Sequence, residues 1–406
     1  MKNITLGLLL VSMLLLISCG KEENEPAPIT PDPEIEQQGS LQDFIDTNIS
    51  AALSLFSDVN DCGDENVLIS PLSLQTAAYM TMTGAAGQTL DEFRTAFSVG
   101  DFYSSGLNKY SAEVAEMLRP RGDNTSFKSS NAVFYSPSAY SPDPIFQEKL
   151  ETDYSATFRD EDFSDPATVD VINDWVSEQT EQRIEEVIDA VDANEAILLF
   201  NALVFTADWK LGFPGLQDMP FSLRNGSEIT VPTMYSDNYR NFTYQDDYLA
   251  IDLDVKDEDY SMTFILPNEG THIDSFIQNF GKNKYSELYN NLVRSRIELF
   301  LPKFELSTHK NMKDILVRRG METTFESADL RKMGQFAGGT NLSRVLHDAY
   351  VKIDEAGIEG AAVTSLGITL VSGPLPLPLN RPFIFIVRHV ETNLPIFIGK
   401  MGNPSL

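Results

Sequence analysis

At 406 residues the chain is long enough for one large domain or two medium ones. Its 60 acidic residues against 30 basic ones leave a formal net charge of −30, which favours solubility and argues against nucleic acid, whose phosphates it would repel. Two cysteines, Cys19 and Cys62, are too few for a disulfide scaffold, so the fold must stand on its hydrophobic core.

In chain order, residues 1–18 read as a signal peptide. Lys2 precedes a largely apolar stretch from Leu6 to Ile17 that is too short to span a bilayer as a mature helix. Leu16, Ile17, Ser18 and Cys19 have the form of a bacterial lipobox, in which a small residue precedes a cysteine that is acylated and becomes the new N-terminus. The alternative is a plain secretory signal with an incidental Cys19. Lys21, Glu22 and Glu23 are similar to the acidic surface-export tag of some outer-membrane lipoproteins. The expected address is therefore the bacterial outer membrane, with a lipid anchor on Cys19 and exposure at the cell surface. Residues 19–39, rich in Glu, Pro and Gln, read as a disordered tether, and no linker divides the single domain of residues 40–406. With Cys19 acylated, Cys62 has no intrachain partner.

Helical signals dominate the first third. Leu41, Phe44, Ile45, Ile49, Leu53 and Phe56 recur at helical spacing, and Ser70 before Pro71 offers an N-cap with proline at the first helical position. Thr89 with Glu92 predicts a capping box, and Asp165-Pro166 a helix start ahead of Val169, Ile172, Trp175 and Val176. Strands are predicted over 196–205, 262–266, 297–304, 382–390 and 394–399. Helices first and antiparallel strands later define an α+β class.

Catalytic patterns are missing from the sequence. It holds no G-x-S-x-G, H-E-x-x-H or G-x-x-x-x-G-K-[ST], and its four histidines stand singly. His347 and Asp348 are adjacent on a predicted strand, point to opposite faces and so cannot serve as base and orienter. A lone histidine of this kind reads as a satisfied core residue. No metal-ligand spacing appears, no cofactor is expected, and Arg121-Gly122-Asp123 reads as a turn rather than an adhesion motif.

The stretch from Val345 to Asn380 carries the most information. Val345, His347, Ala349, Val351 and Ile353 alternate with more polar residues as in a half-buried strand. Past Gly357 the alternation resumes: Ile358, Gly360, Ala362, Thr364, Leu366 and Ile368 form one face, and Glu359, Ala361, Val363, Ser365, Gly367 and Thr369 the other. Pro374, Pro376 and Pro378 then hold the chain extended without ladder donors. An exposed loop with latent strand character fits both features.

Glu355, Gly357, Gly360, Ala361 and Ala362 are similar to the hinge of the serpins, a family whose reactive loop inserts into a sheet after cleavage. Asn66–Leu74, Asn131–Phe134, Trp175–Ile184, Asn201–Trp209, Leu301–Phe304 and Asn380–Arg388 resemble further serpin blocks, in serpin order. The resemblance implies the serpin fold from about Leu41 onward and a monomeric, non-enzymatic suicide substrate for a protease. Ser70, Ser73, Asn201 and His347 match the family's cluster at the sheet opening, and Trp209 the tryptophan under the top of the sheet. By the spacing usual in inhibitory serpins, sixteen residues on from the hinge Glu355 and nine back from Asn380, the resemblance implies a reactive bond at Val371-Ser372. Ile368, Thr369, Leu370 and Val371 would suit the small apolar pocket of an elastase-like serine protease. A papain-like cysteine protease, reading Leu370, is the alternative target, and a non-inhibitory binding serpin the alternative function. Ile358 departs from the Thr or Ser usual after the hinge Gly, and its bulk is expected to slow insertion.

Overall fold

The computed structural model describes residues 39–60, 65–100, 102–358 and 375–406. In chain order the longer helices are α1 (Leu41–Asn60), α2 (Pro71–Gly84), α3 (Gly87–Ala96), α4 (Ser104–Met117), α5 (Pro144–Tyr154) and α6 (Thr168–Gln179). The first strands are β1 (Val67–Ile69), β2 (Thr125–Tyr135), β3 (Tyr140–Pro142), β4 (Thr157–Asp160), β5 (Ile197–Asp208) and β6 (Gly215–Ser222). There follow β7 (Glu228–Tyr244), β8 (Tyr248–Asp254), β9 (Tyr260–Pro267), β10 (Val293–Pro302), β11 (Phe304–Asn311) and β12 (Gly334–Phe336). The last are β13 (Leu346–Ile353), β14 (Gly357–Ile358), β15 (Leu375–Pro378), β16 (Phe383–His389) and β17 (Pro395–Met401).

Two large sheets organise these strands. One runs β1-β17-β16-β9-β8-β7-β10-β15, with β6 also on β7, and the other, the main sheet, runs β11-β13-β14-β5-β2-β4. Pairing is antiparallel apart from β2 with β4 and β10 with β15. Alternation decides which face of the main sheet is buried against what. Leu203, Phe205 and Ala207 of β5 join Ala349, Val351 and Ile353 of β13 in the principal core. On the other face Leu198 and Ala202 pack under α6 with Ile172, Trp175 and Val176. Helices with mixed sheets make this α+β, as the sequence pattern implies.

Local chemistry explains several boundaries. Ser70 caps α2 by accepting from the Ser73 N–H, and Pro71 follows at a position whose missing N–H costs nothing. The Thr89/Glu92 capping box does not form. Helix α3 starts at Gly87, and both side chains are buried against another segment: Thr89 Oγ1 accepts from the Asp329 N–H at 2.8 Å, and Glu92 accepts from the N–H and hydroxyl of Thr324 at 2.8 and 2.7 Å. Long-range partners outcompeted the local cap. The strand expected over 297–304 is two strands, because the chain leaves one sheet at Pro302 and joins the other at Phe304. Pro376 and Pro378 lie in β15, at the edge of its sheet, where a missing donor is tolerated.

Candidate functional site: a slot in the main sheet

The segment after β13 turns back into its own sheet. Gly357 pairs with Asp208, and Ile358 pairs with Ala207 on one side and Ile353 on the other. The Ile358 side chain is only 1% exposed and belongs to the principal core. The bulk expected to slow insertion is therefore already accommodated in the intact chain. Below this level no ladder joins β5 to β13. Between their lower halves, over α2, lies a cavity of about 730 Å³ lined by residues that include Leu74, Ala77, Asn201, Leu203 and His347.

At the top the turn is held by main-chain and aromatic contacts. Trp209, 2% exposed, donates from Nε1 to the Asp354 carbonyl at 3.0 Å and from its backbone N–H to the Ala356 carbonyl at 2.9 Å. The Phe213 N–H donates to the Glu355 carbonyl at 3.1 Å. Lys303 forms an ion pair with Glu355 at 2.8 Å. Burial opposes ionisation of Glu355, but the hydrogen bond from Lys303 and its charge outweigh it and hold the carboxyl below its ordinary value. The family resemblance singled out Glu355 and the block containing Lys303. It missed their pairing, because the two lie on different elements.

Midway down, the polar residues of the sheet-opening cluster meet at the start of α2. His347, 2% exposed, accepts on Nε2 from the Ser70 N–H at 3.0 Å, and burial pushes its pKa down to about 4. Ser73 Oγ donates to the main-chain carbonyl of Asn201 at 3.3 Å. The Asn201 side chain faces the other way, donating to Ser129 Oγ at 3.0 Å and to Asn131 Oδ1 at 2.8 Å. Thus Ser70, Ser73 and His347 come together while Asn201 joins through its backbone, and Ser129 and Asn131 on β2 are partners that sequence reasoning did not assign to the cluster. Asp348 points to the opposite face from His347, as expected, and pairs there with His309 at 2.7 Å. Gly360, Ala362, Thr364, Ile368, Thr369, Leu370, Val371, Ser372 and Cys19 lie outside the described residues. Among the described residues no group of His, Cys, Asp and Glu could hold a metal ion.

The main sheet is thus slotted between β5 and β13, with Gly357 and Ile358 of the following segment seated at the top of the slot. Residues 46–404 match the family model described as serpin (serine protease inhibitor), and the chain belongs to the serpin family. It is 29% identical over 385 residues to the leukocyte elastase inhibitor of Xenopus tropicalis, covering 88% of this chain and all of that protein. The crystal structure of the thermophilic serpin tengpin in its native state superposes with a TM-score of 0.84 at 28% identity, covering 91% of this chain and 96% of tengpin. Tengpin in its latent state gives 0.78 at 27% identity, over 90% and 99% of the two chains. Serpins as a family act on proteases as inhibitors rather than as enzymes.

Proposed function

We propose that this serpin is an irreversible suicide-substrate inhibitor of elastase-like serine proteases. The protease attacks the Val371-Ser372 bond and forms an acyl-enzyme. Cleavage frees the hinge side, which enters the main sheet between β5 and β13. The single observation that carries this reading is the seat of Ile358, inward and paired to both flanking strands above an unpaired stretch.

Continuing that register antiparallel to both neighbours, each step along the incoming strand moves one residue back on each. Gly360 then faces Phe205 and Val351, Ala362 faces Leu203 and Ala349, and Thr364 faces Asn201 and His347. Small residues meet the apolar core, and the hydroxyl of Thr364 meets the polar cluster. About a dozen inserted residues at ~3.3 Å each form a strand of roughly 40 Å, long enough to carry a tethered protease along the body and distort its active site. Added ladder bonds and buried apolar surface drive the step.

The run Ile368, Thr369, Leu370, Val371 and the similarity to a leukocyte elastase inhibitor support the elastase-like target. Leu370 favours a papain-like cysteine protease as the second reading. We place the protein on the bacterial outer membrane through a lipid on Cys19, on the strength of the Leu16–Cys19 pattern. The deciding experiment incubates the domain of residues 40–406 with pancreatic and neutrophil elastases. An SDS-stable adduct supports trapping, and cleavage of the loop without adduct points to a non-inhibitory serpin.

A further inference from the structure

The two strands that flank the slot are tied at its lower end by side chains that no part of the mechanism above uses. Glu195 stands two residues before β5, and Ser343 and Arg344 stand just before β13. Arg344 Nη2 donates to Glu195 Oε2 at 2.8 Å and to the Ala190 carbonyl at 3.0 Å, while Ser343 Oγ donates to Glu195 Oε1 at 2.8 Å. Glu195 Oε2 also accepts from the Asp192 N–H at 3.2 Å. The side chains of Glu195 and Arg344 are only 9% and 20% exposed, so this is a partly desolvated, charge-assisted arrangement rather than a loose surface pair. All three residues line the cavity in the slot.

The register sets what this tie obstructs. If the register of Ile358 is continued on insertion, Leu366 would face Leu199 and Val345, Gly367 would face Leu198 and Arg344, Ile368 would face Ile197 and Ser343, and Leu370 would face Glu195. Residues up to Leu366 fit between the strands above the tie. The last residues before the reactive bond must pass between Glu195 and Ser343, and a strand placed there holds its two neighbours roughly 9.5 Å apart, two interstrand spacings. The short Ser343 side chain cannot bridge that distance.

We propose that Glu195, Ser343 and Arg344 form a clasp that brakes the final stage of loop insertion. The clasp leaves partial insertion free and opens only for the last stretch, so it holds the intact protein against spontaneous full insertion and sets how often a cleaved loop completes its travel before the protease escapes. This rests on the insertion reading given above.

The test is annealing of synthetic peptides to the intact protein, one spanning residues 358–366 and one spanning 358–371. In Glu195→Gln and Ser343→Ala the long peptide is expected to anneal roughly tenfold faster than in wild type, and the short peptide within about twofold of it, a tenfold change being the scale of one charge-assisted contact. The charge exchange Glu195→Arg with Arg344→Glu is expected to restore slow annealing of the long peptide. Equal acceleration of both peptides would mean general loosening of the sheet and overturns the clasp, as does an unchanged rate for the long peptide. If neither peptide anneals to wild type, the insertion reading falls and the clasp falls with it. If both anneal to wild type without length-dependent effects in the variants, the clasp alone falls.

Discussion

A Cβ added to Gly357 would lie 2.1 Å from the Ala207 carbonyl oxygen and 2.9 Å from the Asp208 Cα. Both are backbone atoms of a central strand, so they cannot yield as a flexible side chain would, and Gly357 is the only residue type that lets the hinge pair there. Gly357→Val should expel the hinge and expose Ile358, forfeiting about 1.5–3 kcal/mol for that side chain. A melt of the intact variant should fall by several degrees, and an unchanged melt would show that the seat contributes nothing.

Cleavage should release a C-terminal fragment beginning at Ser372, and the nicked protein should melt well above the intact one. Intact mass and a thermal scan check both points. A fragment starting three or more residues away would displace the reactive bond, and equal melting temperatures would remove insertion.

Thr364→Arg would bring a guanidinium against the buried His347 and the half-buried Asn201 with no carboxylate partner in that cluster, a cost of roughly several kcal/mol. Trapping should give way to plain cleavage, seen as product without adduct in a stoichiometry titration. The control must avoid the outer face at mid-strand, since Ala202 there is covered by α6. Glu359→Arg, facing the half-exposed Thr206 and Lys352, should retain most inhibition. Identical behaviour of the two variants would refute the face assignment.

His347 is held neutral by burial, with its pKa lowered from the ordinary value near 6.5 to about 4. Between those values the unfolded chain binds a proton that the native chain does not, so stability rises with pH across the window and is lost on acidification through it. The full effect is about 3 kcal/mol. Denaturant melts from pH 7 to pH 4 should show the loss, and His347→Gln should flatten it. A slope that survives in the variant would assign it to other groups.

Cys19→Ser should block acylation and leave the protein unprocessed or released. Membrane fractionation with an alkaline wash reads the outcome, and a variant that stays bound like wild type would exclude the lipid anchor.

The amphipathic spacing from Leu41 to Phe56, the Ser70-Pro71 helix start, the two faces around His347 and the hinge glycine were legible in the sequence. The helical, capping and strand readings depend on local geometry: helical and strand periodicities and a fixed proline φ. The hinge glycine and the serpin fold were instead recognised through the resemblance of ordered blocks to the family. What the tertiary structure decided are the pairings between distant elements. Thr89 and Glu92 form a good local cap on paper, yet Asp329 and Thr324 claim them. One predicted strand from Ile297 to Phe304 divides between two sheets. Asn201 turns to Asn131 rather than to His347, Lys303 finds Glu355, and Glu195 meets Ser343 and Arg344 across the foot of the slot. A side chain's preference for a conformation is written in its neighbours along the chain, whereas the partner that satisfies a buried charge or hydrogen bond is chosen by where the folded backbone puts it.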